Sequence, residues 1–99
     1  MLVHSVFFWL KDGLSDDDVA EFRAGLESLS GIEFARGVHV GTPADTPERP
    51  VIDASYTFAL TVLLDDLGAQ DAYQVHPLHK AFIEAHSPKW ERVVIYDAD

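Results

Sequence analysis

A phenol and two imidazoles, Tyr73, His76 and His79, stand around Pro77 in the run Asp71-Ala-Tyr-Gln-Val-His-Pro-Leu-His79. Imidazole, with an ordinary pKa of ~6.5, gives and takes protons near neutrality, and a phenol donates to oxygen, so the grouping is equipped for acid–base work. Metal binding is the other chemistry that His76 and His79 suggest, being three residues apart. No His-Glu-x-x-His pattern or cysteine pair accompanies them, so that signal is weak and no metal is assigned.

Pro77 decides what the spacing means. In one straight helix, residues six apart point about 240° away from each other, which would separate Tyr73 from His79. Proline lacks an N–H, clashes with the preceding turn and drives the residue before it towards an extended conformation. The sequence therefore predicts a helix that breaks at His76 and restarts with Pro77 as its first residue. Such a break lets Tyr73 and His79 turn into one pocket. Each residue also has a purely structural reading: His76 as the joint of the break, Tyr73 as a buried aromatic with a bonded hydroxyl, His79 as the filler of a polar hole.

The elements that must position these groups follow from hydrophobic periodicity. Leu2 to Leu10 is almost continuously apolar and reads as a buried strand. Ser15 followed by Asp18 resembles a capping box, and Val19, Phe22, Leu26 and Leu29 recur at helical spacing, predicting a helix from Ser15 to Leu29. Ile32 to Gly41 is a glycine-interrupted strand. The segment Thr42 to Pro50 carries three prolines and reads as a surface loop. Ala54 to Leu63 alternates Tyr56, Phe58, Leu60 and Val62 with smaller residues, a strand of period two. Asp65 and Asp66 open a second helical region that runs through the break to Ala85, and Trp90 to Tyr96 is a final strand.

The order βαββαβ predicts an α+β, ferredoxin-like protomer: one domain over residues 1–99, with a four-stranded antiparallel sheet and helices on one face. The first strand is apolar on both sides, Val6, Phe8 and Leu10 on one and Val3, Phe7 and Trp9 on the other. A half-exposed antiparallel strand should alternate with polar residues. A second copy packed on the bare face would cover it, so a homodimer is expected.

Composition narrows the partners. Seven basic residues against 17 acidic ones give a net charge of −10, which repels phosphate backbones and anionic membranes. Nucleic acid and membrane are not expected partners. With no cysteine and no signal-like apolar start, the expected location is the cytoplasm. No glycine-rich nucleotide motif or Gly-x-Ser-x-Gly elbow is present, and no cofactor is expected.

His4 on the first strand, Lys11-Asp12 after it and Tyr73-Gln-Val-His-Pro-Leu-His79-Lys-Ala-Phe82 together resemble the stress-responsive dimeric α/β-barrel family, Dabb, over nearly the whole chain. The resemblance implies a sheet that pairs with a second copy into a barrel. The family includes stress-associated proteins and olivetolic acid cyclase, in which a histidine and a tyrosine act as a catalytic pair at positions matching His79 and Tyr73. It further implies a pocket between helices and sheet, lined by Val6, Phe8, Phe22 and Leu60, with His4 as a third polar member and His76 adjacent. Leu26 stands where that cyclase has a tyrosine, so one substrate hydrogen bond would be missing. Two functions follow as expectations: a homodimer whose apolar pocket binds a small carbonyl or aromatic ligand, or a cofactor-independent acid–base enzyme. In the second, His79 removes a proton α to a carbonyl and Tyr73 donates to the enolate oxygen. A monooxygenase-like reaction on an activated substrate is a further analogy within ferredoxin-like dimers.

Overall fold

The computed structural model describes residues 1–99. Its regular elements are β1 (Leu2–Leu10), α1 (Asp16–Ser28), β2 (Ala35–Gly41), β3 (Phe58–Leu64), α2 (Leu67–Val75), α3 (Pro77–His86) and β4 (Trp90–Ala98), with single 3₁₀ turns at Leu29–Gly31 and Ser87–Lys89. The four strands form one antiparallel sheet in the order β2-β3-β1-β4, the ferredoxin-like arrangement.

Register explains how one strand serves two faces. His4 sits between Val62 of β3 and Asp97 of β4, Val6 between Leu60 and Ile95, and Phe8 between Phe58 and Val93. Partners in register share a face, so these nine residues lie on the helix side of the sheet. On β1 and β3 they are buried, whereas Val93 is 39% and Ile95 52% exposed. The helix layer covers the sheet as far as β1 and leaves β4 bare. On the opposite face Phe7 meets Tyr56 and Tyr96, with ring centroids 5.1 and 6.2 Å apart, and Arg92 stacks 4.3 Å over Trp9. Tyr96 there is 66% exposed.

Local signals set the helix ends. The Asp18 N–H donates to Ser15 Oγ at 3.1 Å and the Ser15 N–H to Asp18 Oδ2 at 3.3 Å, a complete capping box. Such a cap stabilises a helix by about 1 kcal/mol. At His76 the backbone turns extended (φ −61°, ψ 141°), closing α2 and opening α3, and its Nδ1 accepts from the Leu78 N–H at 3.1 Å. Pro77 is the first residue of α3, where its missing N–H costs nothing.

Three strand boundaries differ from the sequence expectation. β2 starts at Ala35, because the Ile32 N–H donates to Leu29 and its carbonyl accepts from Ala35, closing a turn. β3 starts at Phe58. The preceding residues are tied to β1 by other bonds: the Thr57 N–H donates to the Phe8 carbonyl at 2.7 Å, the Leu10 N–H to Thr57 Oγ1 at 3.0 Å, and Trp9 Nε1 to Ser55 Oγ at 3.0 Å. Tyr56 consequently lies with Phe7 on the bare face, not with Phe58, Leu60 and Val62. β4 continues past Tyr96 to Ala98 and so brings Asp97 beside His4.

Candidate functional site

Helix α2 presents Gln70, Tyr73 and Gln74 along one side, since residues three and four apart share a helical face. The break at His76 then re-aims the chain, and His79, in the first turn of α3, faces back on Tyr73. Their ring centroids are 5.0 Å apart with planes at 64°. From the sheet, His4 meets the other side of Tyr73 at 5.9 Å and 66°. Three elements thus bring His4, Tyr73 and His79 to one cavity of about 130 Å³. Its remaining wall is mainly apolar: Val6, Phe8 and Leu60 from the sheet face and Phe82, Ile83 and Trp90 beyond them.

The electrostatics are those of neutral groups under apolar cover. Tyr73 is fully buried, and burial raises its hydroxyl above the ordinary phenol pKa, so it stays protonated and can donate. The hydroxyl has no hydrogen-bond partner within the protein. His79 is held below the ordinary imidazole value, chiefly by burial and secondly by His4, with the Gln74 backbone acting the other way. A neutral imidazole at pH 7 offers a lone pair.

His4 is fixed differently. It is 3% exposed, and its Nδ1 lies 2.5 Å from Asp97 Oδ1. A carboxylate accepts, so Nδ1 carries a proton and donates it to Asp97. The Gln70 amide stands 3.3 Å from the same Nδ1, and its oxygen is buried without a partner.

Three residues expected at the site lie elsewhere. Phe22 is fully buried behind the cavity, its ring 5.2 Å from Phe8 and 5.7 Å from Phe82, because α1 packs over the far side of that aromatic layer. Leu26, one turn on, belongs to the same core. His76 faces away from the cavity: its Nε2 is 3.7 Å from a Glu33 carboxylate oxygen and its ring packs on Phe34. His76 and His79 therefore diverge, and no cluster of three or more metal-ligating side chains forms. Gln70, Gln74 and Asp97 escaped the sequence reading. The glutamines were legible as neighbours of Tyr73 on one helical face; Asp97 needed the register of β4 against β1.

With this geometry in place, comparison with known proteins identifies the scaffold. The model of the stress-responsive A/B barrel domain, Dabb, matches residues 2–99. The chain belongs to the Dabb family. Among solved structures, a Dabb protein from Mesorhizobium loti with a ferredoxin-like fold superposes with a TM-score of 0.80 at 25% identity, covering 99% of this chain and 94% of its own. The hydroxynitrile lyase of Passiflora edulis has a TM-score of 0.82 at 20% identity, over 98% and 90% of the two chains. A dimeric ferredoxin-like protein from Thermobifida fusca gives 0.79 at 23% identity, over 98% and 88%. No curated protein matches the sequence. In this Dabb chain no helix is long and apolar enough to cross a membrane.

Proposed function

We propose that this Dabb chain is a homodimer in which each protomer binds a small organic ligand in the cavity at the α2–α3 break, with Tyr73 donating a hydrogen bond to a ligand oxygen. The observation that carries the reading is that Tyr73, whose hydroxyl is buried without a partner, lines a cavity. Leaving such a group unpaired costs about 1–3 kcal/mol, which a ligand carbonyl or hydroxyl would recover. The cavity's size suits a group of about six heavy atoms, since 150 Å³ holds benzene.

The contact between Tyr73 and His79 favours a second step on the same ligand. A carbonyl accepting from Tyr73 would have its α carbon near His79, whose neutral ring can take the α proton. The electron pair moves to the carbonyl oxygen, Tyr73 stabilises the enolate, and His79 returns the proton to carbon or to a leaving group. His4, oriented by Asp97, lines the same cavity. That a lyase shares this fold is compatible with such acid–base work.

A methyl ketone small enough for the cavity, 2-pentanone, tests both steps. Titrated into ¹⁵N-labelled protein, it is expected to shift the amides of Tyr73, Gln74 and His79, with Tyr73→Phe weakening affinity by about two- to tenfold, the worth of one hydrogen bond. In D₂O the wild type should speed exchange of the ketone's α protons and His79→Ala should not. Amide shifts scattered away from the cavity would overturn the binding reading; exchange unchanged by His79→Ala would overturn the proton transfer.

A further inference from the structure

The cavity is open on one side. It opens between α3 and β4 over Ile83, Val93 and Ile95, all of which line it and are 40%, 39% and 52% exposed. These are large aliphatic side chains on the helix side of the sheet, left uncovered because the helix layer stops at β1. They form an apolar strip continuous with the enclosed pocket.

The charges around the cavity are as telling. None of its lining residues is Lys, Arg, Asp or Glu. Two cations on the chain next to lining residues are placed elsewhere: Arg92 stacks on Trp9 across the sheet, and Lys89 lies between Glu21 and His86. The charged group that does reach the site from behind is the Asp97 carboxylate on His4. An anion entering would lose its hydration, meet no Lys or Arg and face this negative charge, a combination that strongly disfavours burial. An uncharged oxygen group meets the Tyr73 hydroxyl at no such cost.

We propose that the site selects uncharged, elongated ligands, taking an oxygen-bearing head into the enclosed cavity and laying an aliphatic arm over Ile83, Val93 and Ile95, while excluding the corresponding carboxylates. The proposal rests on the ligand-binding reading of the cavity given above. It assigns selectivity to two features: the absence of a lining Lys or Arg, and a strip on β4 that favours chain length.

Three probes separate these features: 2-pentanone, 2-nonanone, whose chain is four methylenes longer, and nonanoate. Affinities are measured at pH 8 by titration of the full-length protein, following the Tyr73 and His79 amides. The longer ketone should bind at least about tenfold more tightly than the shorter, because each buried methylene adds severalfold. Nonanoate should bind at least about tenfold more weakly than 2-nonanone. Ile95→Ser, half-exposed and tolerant of a polar group, should weaken 2-nonanone more than 2-pentanone and so remove most of the advantage of the longer ketone. Equal affinity of nonanoate and 2-nonanone, or an Ile95→Ser variant that keeps the full length dependence, overturns the proposal while leaving the cavity a ligand site. If none of the three probes moves the Tyr73 and His79 amides, the cavity reading itself fails and this inference with it.

Discussion

Tyr73 is the residue on which stability and the proposed binding role pull in opposite directions. Its hydroxyl is buried without a partner in the free protein, so Tyr73→Phe should leave the free fold as stable or stabilise it by about 1 kcal/mol. For a chain of this size that is a rise in Tm of about 4–8 °C, measurable by calorimetry. Loss of ligand affinity in the same variant would mark the hydroxyl as held for binding, whereas a fall in Tm would show that it serves the fold. Asp97 works the other way, because it accepts a hydrogen bond from a buried imidazole. Asp97→Asn should lower stability by about 1 kcal/mol, its side chain being half exposed, and should change the ¹⁵N shifts of the His4 ring. Tyr73 and His79 were legible as a pair because proline chemistry is local. Gln70 and Asp97 were less so, because their relation to His4 exists only after the strands are in register.

At the scale of elements, the broken helix is the device that makes the site. His76 supplies the cap that joins its halves. His76→Ala should cost about 0.5–1 kcal/mol in chemical denaturation, His76→Asn should restore most of it, and neither should alter 2-pentanone affinity. A large loss of affinity in both would return His76 to the site. The contact between α1 and α3 depends on a glycine: a Cβ at Gly25 would fall 2.5 Å from His86 Nε2, so the imidazole lies directly on the α1 backbone. There His86 is held below the ordinary imidazole value by burial first and then by Lys89, with Glu21 opposing. His79 is shifted the same way. In both cases the unfolded chain binds the proton more readily than the folded one, so their contribution to stability is complete above about pH 6.5 and declines as pH falls below it. Urea titrations at pH 8 and pH 5.5 should show this decline, and His86→Gln together with His79→Gln should remove most of it. The sequence revealed α1 and the Pro77 break at nearly their true ends, since capping and proline signals are local. It placed the starts of β2 and β3 too early, because apolar alternation continues through Ile32 and Tyr56 whereas the ladder bonds do not.

On the scale of the whole molecule, the two faces of the sheet have separate tasks. The helix side holds the cavity; the bare side carries Phe7, Trp9, Tyr56 and Tyr96. Such a face on a chain of 11.0 kDa is expected to be covered by a second copy. Light scattering at micromolar concentration should give about twice the chain mass, and Phe7→Asp with Tyr96→Asp should halve it. A monomeric wild type would contradict the dimer. The fold class was readable because the βαββαβ pattern admits few topologies and β1 announces two apolar faces. The cavity's modest size and its open mouth were not, because they depend on how far the helices reach across β4.

What most needs testing is the hydrogen bond proposed from Tyr73 to an oxygen held in the cavity. The carbonyl ¹³C resonance of 2-pentanone labelled at that carbon reports the bond directly. Bound to the wild type it should move downfield of its position when bound to Tyr73→Phe; an identical carbonyl shift in the two complexes would contradict the account.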